Sequence, residues 1–158
     1  MRVTKIIEFD AGHRVPHHKS HCKNVHGHRY KLEVTVEGPL VTIRGVSDEG
    51  MVLDFSDIKA AMMKFVHATF DHVFIMSVDD PLKSLLSTPY AAADMPAPLG
   101  QRYSVKDFGT IQEVPGVPTA ENLARWIFEL LGETLNNGNY RVVQVKLWET
   151  PNSAATAP

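Results

Sequence analysis

The sequence predicts an α+β domain with an antiparallel four-stranded sheet and two helices. One run of strict alternation, two stretches of helical periodicity and further strand-like runs near both ends of the chain are the observations that predict it. The order of these elements, with strands separated by single helices, is typical of the α+β class.

Four runs are predicted as strands. From Tyr30 to Glu37 apolar and polar residues alternate at every position, which is typical of a strand with one buried face. The opening and closing runs are also strand-like, and a shorter run, GTIQEVP, is a weaker candidate. These further runs are Val3 to Phe9, Tyr140 to Trp148 and residues 109–115.

Two segments have the 3.6-residue period of an amphipathic helix. The first is expected to begin with Ser56 as its N-cap and to end near the sequence FDH at 70–72. The second opens at PTAEN, with Thr119 as the N-cap, and is closed by NNG at 136–138. The inward positions are predicted to be Ile58, Ala61, Met62, Phe65, Val66 and Thr69 in the first helix and Leu123, Trp126, Ile127, Leu130 and Leu131 in the second.

Residues 79–109 have no sustained periodicity and are rich in proline, alanine and serine. Loops of this length are usually functional lids or mobile segments. We therefore expect residues 1–158 to form a single domain that carries an insertion-like segment at about 79–109.

Composition argues for a small-molecule substrate. The net charge is −2 and no run of basic residues occurs, so neither nucleic acid nor an anionic membrane is an expected partner. The sequence contains no apolar stretch long enough for a signal peptide or a membrane span, so we expect a cytoplasmic location. The single cysteine, Cys22, cannot form an internal disulfide.

Three histidines are predicted to share one interior face. If the strand at Tyr30 extends upstream, His26 and His28 have the parity of its apolar positions. His13 has the parity of the apolar positions of the first strand. Three imidazoles and an open position form a common catalytic zinc site. A lone histidine is more often a hydrogen-bonded core residue, but H-x-H four residues after Cys22 favours a metal.

The histidine pattern leaves some questions open. His17, His18 and His21 crowd the same loop and compete as ligands. Cys22 is either a fourth ligand, which closes the site, or a free thiol beside the metal, which leaves the site able to do chemistry.

Weaker signals come from four other residues. Glu149 shares the parity of Val143, Val145 and Leu147, so it is either an exposed strand end or a carboxylate kept for a ligand with N–H groups. Asp71 and His72 form either an acid–base pair or a solvated helix end. Helix capping is enough to explain Thr119.

Six short motifs occur in order along nearly the whole chain. They are FDAGHR (9–14), CKNVHGH (22–28), LDFSDIK (53–59), FDH (70–72), PTAEN (118–122) and WETP (148–151). Together they resemble the 6-pyruvoyltetrahydropterin synthase superfamily. The three residues between Cys22 and HGH are similar to the 6-carboxytetrahydropterin synthase branch, whereas VFIM after FDH departs from the common family pattern. Residues 79–109 look like an insertion relative to compact members.

The resemblance implies a role for each candidate residue. It implies that three histidines hold Zn2+, that the cysteine is the base beside it, and that an aspartate–histidine pair serves the proton chemistry of the cysteine across a subunit interface. It also implies that a glutamate anchors the pterin, with a further part in proton transfer, and that a threonine lies in the pterin-side loop. The matching positions are His13, His26, His28, Cys22, Asp71, His72, Glu149 and Thr119.

The implied fold is the tunnelling fold (T-fold), in which the sheets of three subunits close an oligomeric barrel and two trimers stack. The implied reaction is zinc-dependent conversion of 7,8-dihydroneopterin triphosphate to 6-carboxytetrahydropterin, acetaldehyde and triphosphate, a lyase step toward 7-deazapurines such as queuosine. Two alternatives remain. One is a 6-pyruvoyltetrahydropterin synthase, and the other is a non-enzymatic module with a closed zinc site of one cysteine and three histidines.

Overall fold

The computed structural model describes residues 1–86, 90–91, 99–106 and 108–158. Of the predicted insertion-like segment, residues 87–89, 92–98 and 107 lie outside the described residues. None of the described helices has the length and apolar character needed to cross a bilayer.

The described strands form one sheet. They are β1 (Arg2–His13), β2 (His26–Glu37), β3 (Phe74–Ser77), β4 (Tyr90–Ala91), β5 (Arg102–Val105), β6 (Gly109–Val114), β7 (Arg141–Thr150) and β8 (Ser153–Ala157). The order in the sheet is β4-β5-β6-β3-β1-β2-β7-β8, with β3 parallel to both of its neighbours and every other pair antiparallel. A mostly antiparallel α+β fold is therefore confirmed, but the predicted number of four strands is wrong, since the described residues alone form eight.

Two of the missed strands, β3 and β8, have no alternation of apolar and polar residues. All four residues of β3 are buried, because the strand lies between β1 and β6 in the middle of the sheet, and a strand covered on both faces is continuously apolar. The sequence of β8, SAATA, consists of small residues with little hydrophobic contrast.

The two predicted helices are present. The first consists of α1 (Phe55–Ala61), a π-helical segment (Met62–His67) and α2 (Ala68–Phe70), and the second is α3 (Ala120–Leu135). The N-cap prediction for Ser56 is wrong, because the Asp54 carboxylate accepts a 2.7 Å hydrogen bond from the Ser56 N–H and Asp54 is the cap. Thr119 caps α3 as predicted, and its side chain accepts from the Asn122 N–H.

The helices cover the face of the sheet on which the histidines lie. Helix α3 contacts β7 and β8, and α1 contacts β1. Tyr30, Leu32, Ile127 and Leu147 are fully buried between these layers. One parity prediction fails, because a register shift between β2 and β7 places Val142 rather than Val143 in the core.

Candidate metal centre

The pairing of β1 with β2 brings the three predicted histidines together. Strand β2 begins at His26, so the extended conformation required by the parity argument is present upstream of Tyr30. His13 pairs directly with His26, and His28 lies opposite Ala11 in the same ladder. One ligand nitrogen from each histidine lies within 4.8 Å of the other two.

Hydrogen bonds to backbone carbonyls orient two of the rings. The His13 Nδ1–H donates to the Pro118 carbonyl at 2.8 Å, and the His26 Nδ1–H donates to the Asn24 carbonyl at 2.7 Å. Because a carbonyl only accepts, each neutral ring carries its proton on Nδ1 and presents a lone pair at Nε2. The two Nε2 atoms are 3.1 Å apart. Two facing lone pairs with ordered outer partners fit a shared cation.

The protein interior favours the neutral form of His13 and His28. Burial lowers the pKa of His13 and of His28, although the nearby Glu149 carboxylate opposes both shifts. Neutral imidazole is the form that binds a metal. Tyr30, which is fully buried, lies beneath both rings in edge-to-face contact.

Glu149 lies beside the histidine cluster. Its Oε1 is 3.4 Å from the His13 Nε2 and 4.0 Å from the His28 Nε2, and its side chain is 26% exposed. It therefore points inward, as its parity with Val145 and Leu147 predicts, while remaining accessible from solvent.

A cavity of about 270 Å³ brings one of the three clustered histidines together with three other predicted site residues. His13, Cys22, Thr119 and Glu149 all line it, and His18 lies on the same wall. Cys22 is exposed to solvent. The fold thus gathers four of the predicted site residues from β1, the loop after it, the start of α3 and the end of β7.

Asp71 and His72 are hydrogen-bonded to each other, and neither lines the cavity that contains Cys22. The Asp71 carboxylate accepts from the His72 Nδ1 at 2.7 Å and from the Asp10 N–H at 3.0 Å. These hydrogen bonds lower the pKa of Asp71 even though burial acts in the opposite direction. His72 lines another open cavity of about 540 Å³, which His26 and His28 also line but Cys22 does not.

The backbone of His72 is strained. Its φ of 56° lies in the left-handed region, which non-glycine residues seldom adopt. The His72 N–H donates to the Asp10 carbonyl at 2.7 Å and so holds this conformation. The imidazole is 77% exposed.

Glu149 also lines a second, larger cavity of about 550 Å³. His28, Arg29, Lys31 and Trp148 form its walls. Glu149 therefore borders two cavities, and its carboxylate is in a position to contact a ligand in either.

Three residues near the site were not predicted to belong to it. Tyr30 was interpreted only as a core residue of β2. Arg14, in the loop that carries Cys22, forms an ion pair with Asp80. The dipeptide Asp80-Pro81 is typical of a helix start, but no local pattern indicates the ion pair.

Comparison with known proteins agrees with the predicted family. A family model described as 6-pyruvoyl tetrahydropterin synthase matches residues 2–158. A curated relative from Haemophilus influenzae, named 6-carboxy-5,6,7,8-tetrahydropterin synthase, is 34% identical to this chain over 96% of this chain and 94% of the relative. A relative of the same name from Rickettsia conorii is 33% identical over 96% of each chain. The predicted synthase-like enzyme is confirmed by these relatives.

Solved structures agree with the predicted fold. An uncharacterized protein from Wolinella succinogenes has a TM-score of 0.75 and 27% identity, with 99% of this chain and 97% of that chain covered. The 6-pyruvoyl tetrahydropterin synthase of Plasmodium vivax has a TM-score of 0.65 at 19% identity, with the same coverage, and indicates the fold alone. Both the sequence match over residues 2–158 and the shared fold lead to one assignment: the chain belongs to the 6-pyruvoyl tetrahydropterin synthase family.

Proposed function

We propose that this chain is a cytoplasmic, zinc-dependent lyase that converts 7,8-dihydroneopterin triphosphate to 6-carboxytetrahydropterin, acetaldehyde and triphosphate. The observation that carries the proposal is one cavity lined by a member of the histidine cluster, the single cysteine and an inward carboxylate. The names of the curated relatives favour the carboxylated product. Such a product would serve 7-deazapurine (queuosine) synthesis.

His13, His26 and His28 are the proposed zinc ligands. Three imidazole nitrogens with ordered outer partners suit Zn2+, which commonly takes three protein ligands at a catalytic site and leaves one position open. When bound, Zn2+ would supply Lewis acidity that polarises the side-chain oxygens of the substrate and acidifies the neighbouring C–H bonds.

Cys22 is the proposed base. It is separate from the group of three histidines but lines the cavity with His13, so a proton on a substrate carbon held there would be within its reach. A thiolate near a cation can exist close to neutral pH. Removal of that proton starts the redistribution of the side chain that releases triphosphate. One water is then consumed when the two-carbon fragment leaves as acetaldehyde and the carboxylate forms.

Glu149 is the proposed anchor of the pterin ring. A carboxylate accepts two parallel hydrogen bonds, which matches the amino group and ring N–H of a pterin. Its partial exposure and its position between two cavities support this role. Thr119 lies on the same wall, where it would border the pterin while its side chain caps α3.

Asp71 and His72 are proposed to serve Cys22 from a neighbouring subunit. Within one chain neither residue lines the cavity that contains Cys22, and the His72 imidazole is exposed. Assembly as a dimer of trimers would bring such a group to another subunit's site. The outermost strands of the described sheet are β4 and β8, and closure of a barrel removes unpaired edges.

Product analysis tests the proposed reaction. Zinc-loaded protein given 7,8-dihydroneopterin triphosphate should release 6-carboxytetrahydropterin and acetaldehyde in equal amounts, measured by chromatography with mass detection. Accumulation of 6-pyruvoyltetrahydropterin without acetaldehyde would instead identify the pyruvoyl reaction. Unchanged substrate would contradict the lyase proposal.

A further inference from the structure

The loop that carries Cys22 has few connections to the rest of the protein. Residues 14–25 join β1 to β2, and most of their hydrogen bonds stay within the loop, such as the 2.7 Å bond from the Val15 N–H to the Cys22 carbonyl. Among the hydrogen bonds and ion pairs of the described residues, one interaction links this loop to an element other than β1 and β2. It is the ion pair of Arg14 with Asp80.

This ion pair is bidentate and shielded from water. The Arg14 Nε donates to the Asp80 Oδ2 at 2.9 Å, and the Arg14 Nη2 donates to the Asp80 Oδ1 at 2.8 Å. The Asp80 side chain is fully buried and that of Arg14 is 20% exposed. Two parallel bonds to a planar guanidinium fix its orientation as well as its position.

Asp80 is itself held by the sheet. Its N–H donates to the carbonyl of Ser77, the last residue of β3, at 3.0 Å. Its Oδ1 also accepts from the Leu82 N–H at 2.8 Å and caps the 3₁₀ helix Pro81–Leu85. Because β3 pairs with β1 at His13, the carboxylate has a fixed relation to the histidine cluster.

Arg14 reaches the far end of the loop. Its Nη1 is 3.5 Å from the carbonyl oxygen of Lys23, the residue after Cys22. The residue after Arg14, Val15, donates its N–H to the Cys22 carbonyl. Arg14 therefore lies between the rigid Asp80 carboxylate and the backbone that surrounds Cys22.

We propose that Arg14 and Asp80 form a clamp that positions Cys22 at the wall of the histidine-lined cavity. The proposal rests on the role of Cys22 as base given above. Neither Arg14 nor Asp80 lines that cavity, so both are positioning residues. Loss of the clamp should release the thiol from the cavity while leaving the histidine cluster on its strands.

Chemical labelling reads the position of Cys22 directly, because the chain has one cysteine. In zinc-loaded wild-type protein, saturating neopterin should slow alkylation of Cys22 by iodoacetamide. In Asp80→Asn this protection should be lost at unchanged zinc content. With the true substrate, kcat should fall by ~10–100-fold while KM changes little, because a small displacement of a reacting group is costly to the rate.

Arg14→Lys and Asp79→Asn complete the experiment. Arg14→Lys keeps the positive charge but loses the planar guanidinium that forms two parallel hydrogen bonds. It should therefore lose neopterin protection and kcat as Asp80→Asn does. If Asp80→Asn fails to fold, Arg14→Lys alone tests the clamp. Asp79→Asn is the matched control, since that carboxylate forms no ion pair with any described residue.

Two results would overturn the clamp, and they are distinguishable. Wild-type protection and kcat in folded, zinc-loaded Arg14→Lys would show that the ion pair does not position the thiol. Absence of neopterin protection in the wild-type protein would show that Cys22 does not lie beside the pterin, which contradicts the proposed function itself.

Discussion

The Nε2 atoms of His13 and His26 face each other at 3.1 Å across the β1–β2 ladder. Both rings donate their Nδ1 protons to backbone carbonyls, so neither neutral ring has a proton to place between the two nitrogens. This pair of lone pairs, with His28 close by, is the part of the site most clearly built for a cation.

Removal of one ligand should therefore remove the metal. Loss of a residue that only hydrogen-bonds to a zinc ligand typically weakens zinc binding by ~10–100-fold. Because His26 is a proposed ligand itself, we expect His26→Ala to weaken zinc binding by at least ~100-fold. Metal analysis after dialysis measures it. His17→Asn is the control, since Asn tolerates the φ of 63° found at this position. Stoichiometric zinc in His26→Ala would rule out this ligand set.

Cys22→Ala distinguishes a base from a ligand. We expect wild-type zinc content and wild-type neopterin affinity, with turnover reduced by ~10²–10⁴-fold, the usual contribution of a general base. Atomic absorption and a single-turnover rate assay measure the two quantities. If zinc is lost together with activity, Cys22 is a ligand and the closed-site alternative gains support.

Glu149→Gln should affect the pterin more than the metal. The amide keeps the shape but loses the charge and one acceptor, and a hydrogen bond to a charged group contributes about 1.5–3 kcal/mol. We expect neopterin to bind ~10–100-fold more weakly at unchanged zinc content, as measured by calorimetry. Glu121→Gln is the matched control, because Glu121 is an exposed carboxylate on the same cavity. Equal affinities in the two variants would exclude Glu149 as the anchor.

Subunit mixing tests whether His72 acts on a neighbouring site. Cys22→Ala and His72→Ala should each be nearly inactive. If the two residues of one site come from different subunits, an equal mixture refolded together should recover about a quarter of the wild-type activity, since half of the subunits supply each intact residue. The control is a mixture of the two variants made after each has been refolded separately. No recovery in the co-refolded protein would place both residues in one subunit's site, whereas wild-type activity of His72→Ala alone would remove His72 from the mechanism.

Local sequence patterns predicted the central part of the fold. The alternation in β2 and the helical period of α3 depend only on neighbouring residues, so both elements and the Thr119 cap could be predicted. Strand β3 could not, because a strand buried on both faces lacks alternation and its burial is a consequence of its place in the sheet.

The sequence by itself determined that the three histidines share a face, because side-chain direction alternates along an extended chain whatever the strand pairs with. Only the tertiary structure decided how they meet: the register places His13 directly opposite His26. Residues distant in sequence, such as Arg14 and Asp80, which are 66 positions apart, became partners through the packing of β3 beside β1. No local pattern encodes such a contact, because it depends on which strands pair and on the course of the chain between them.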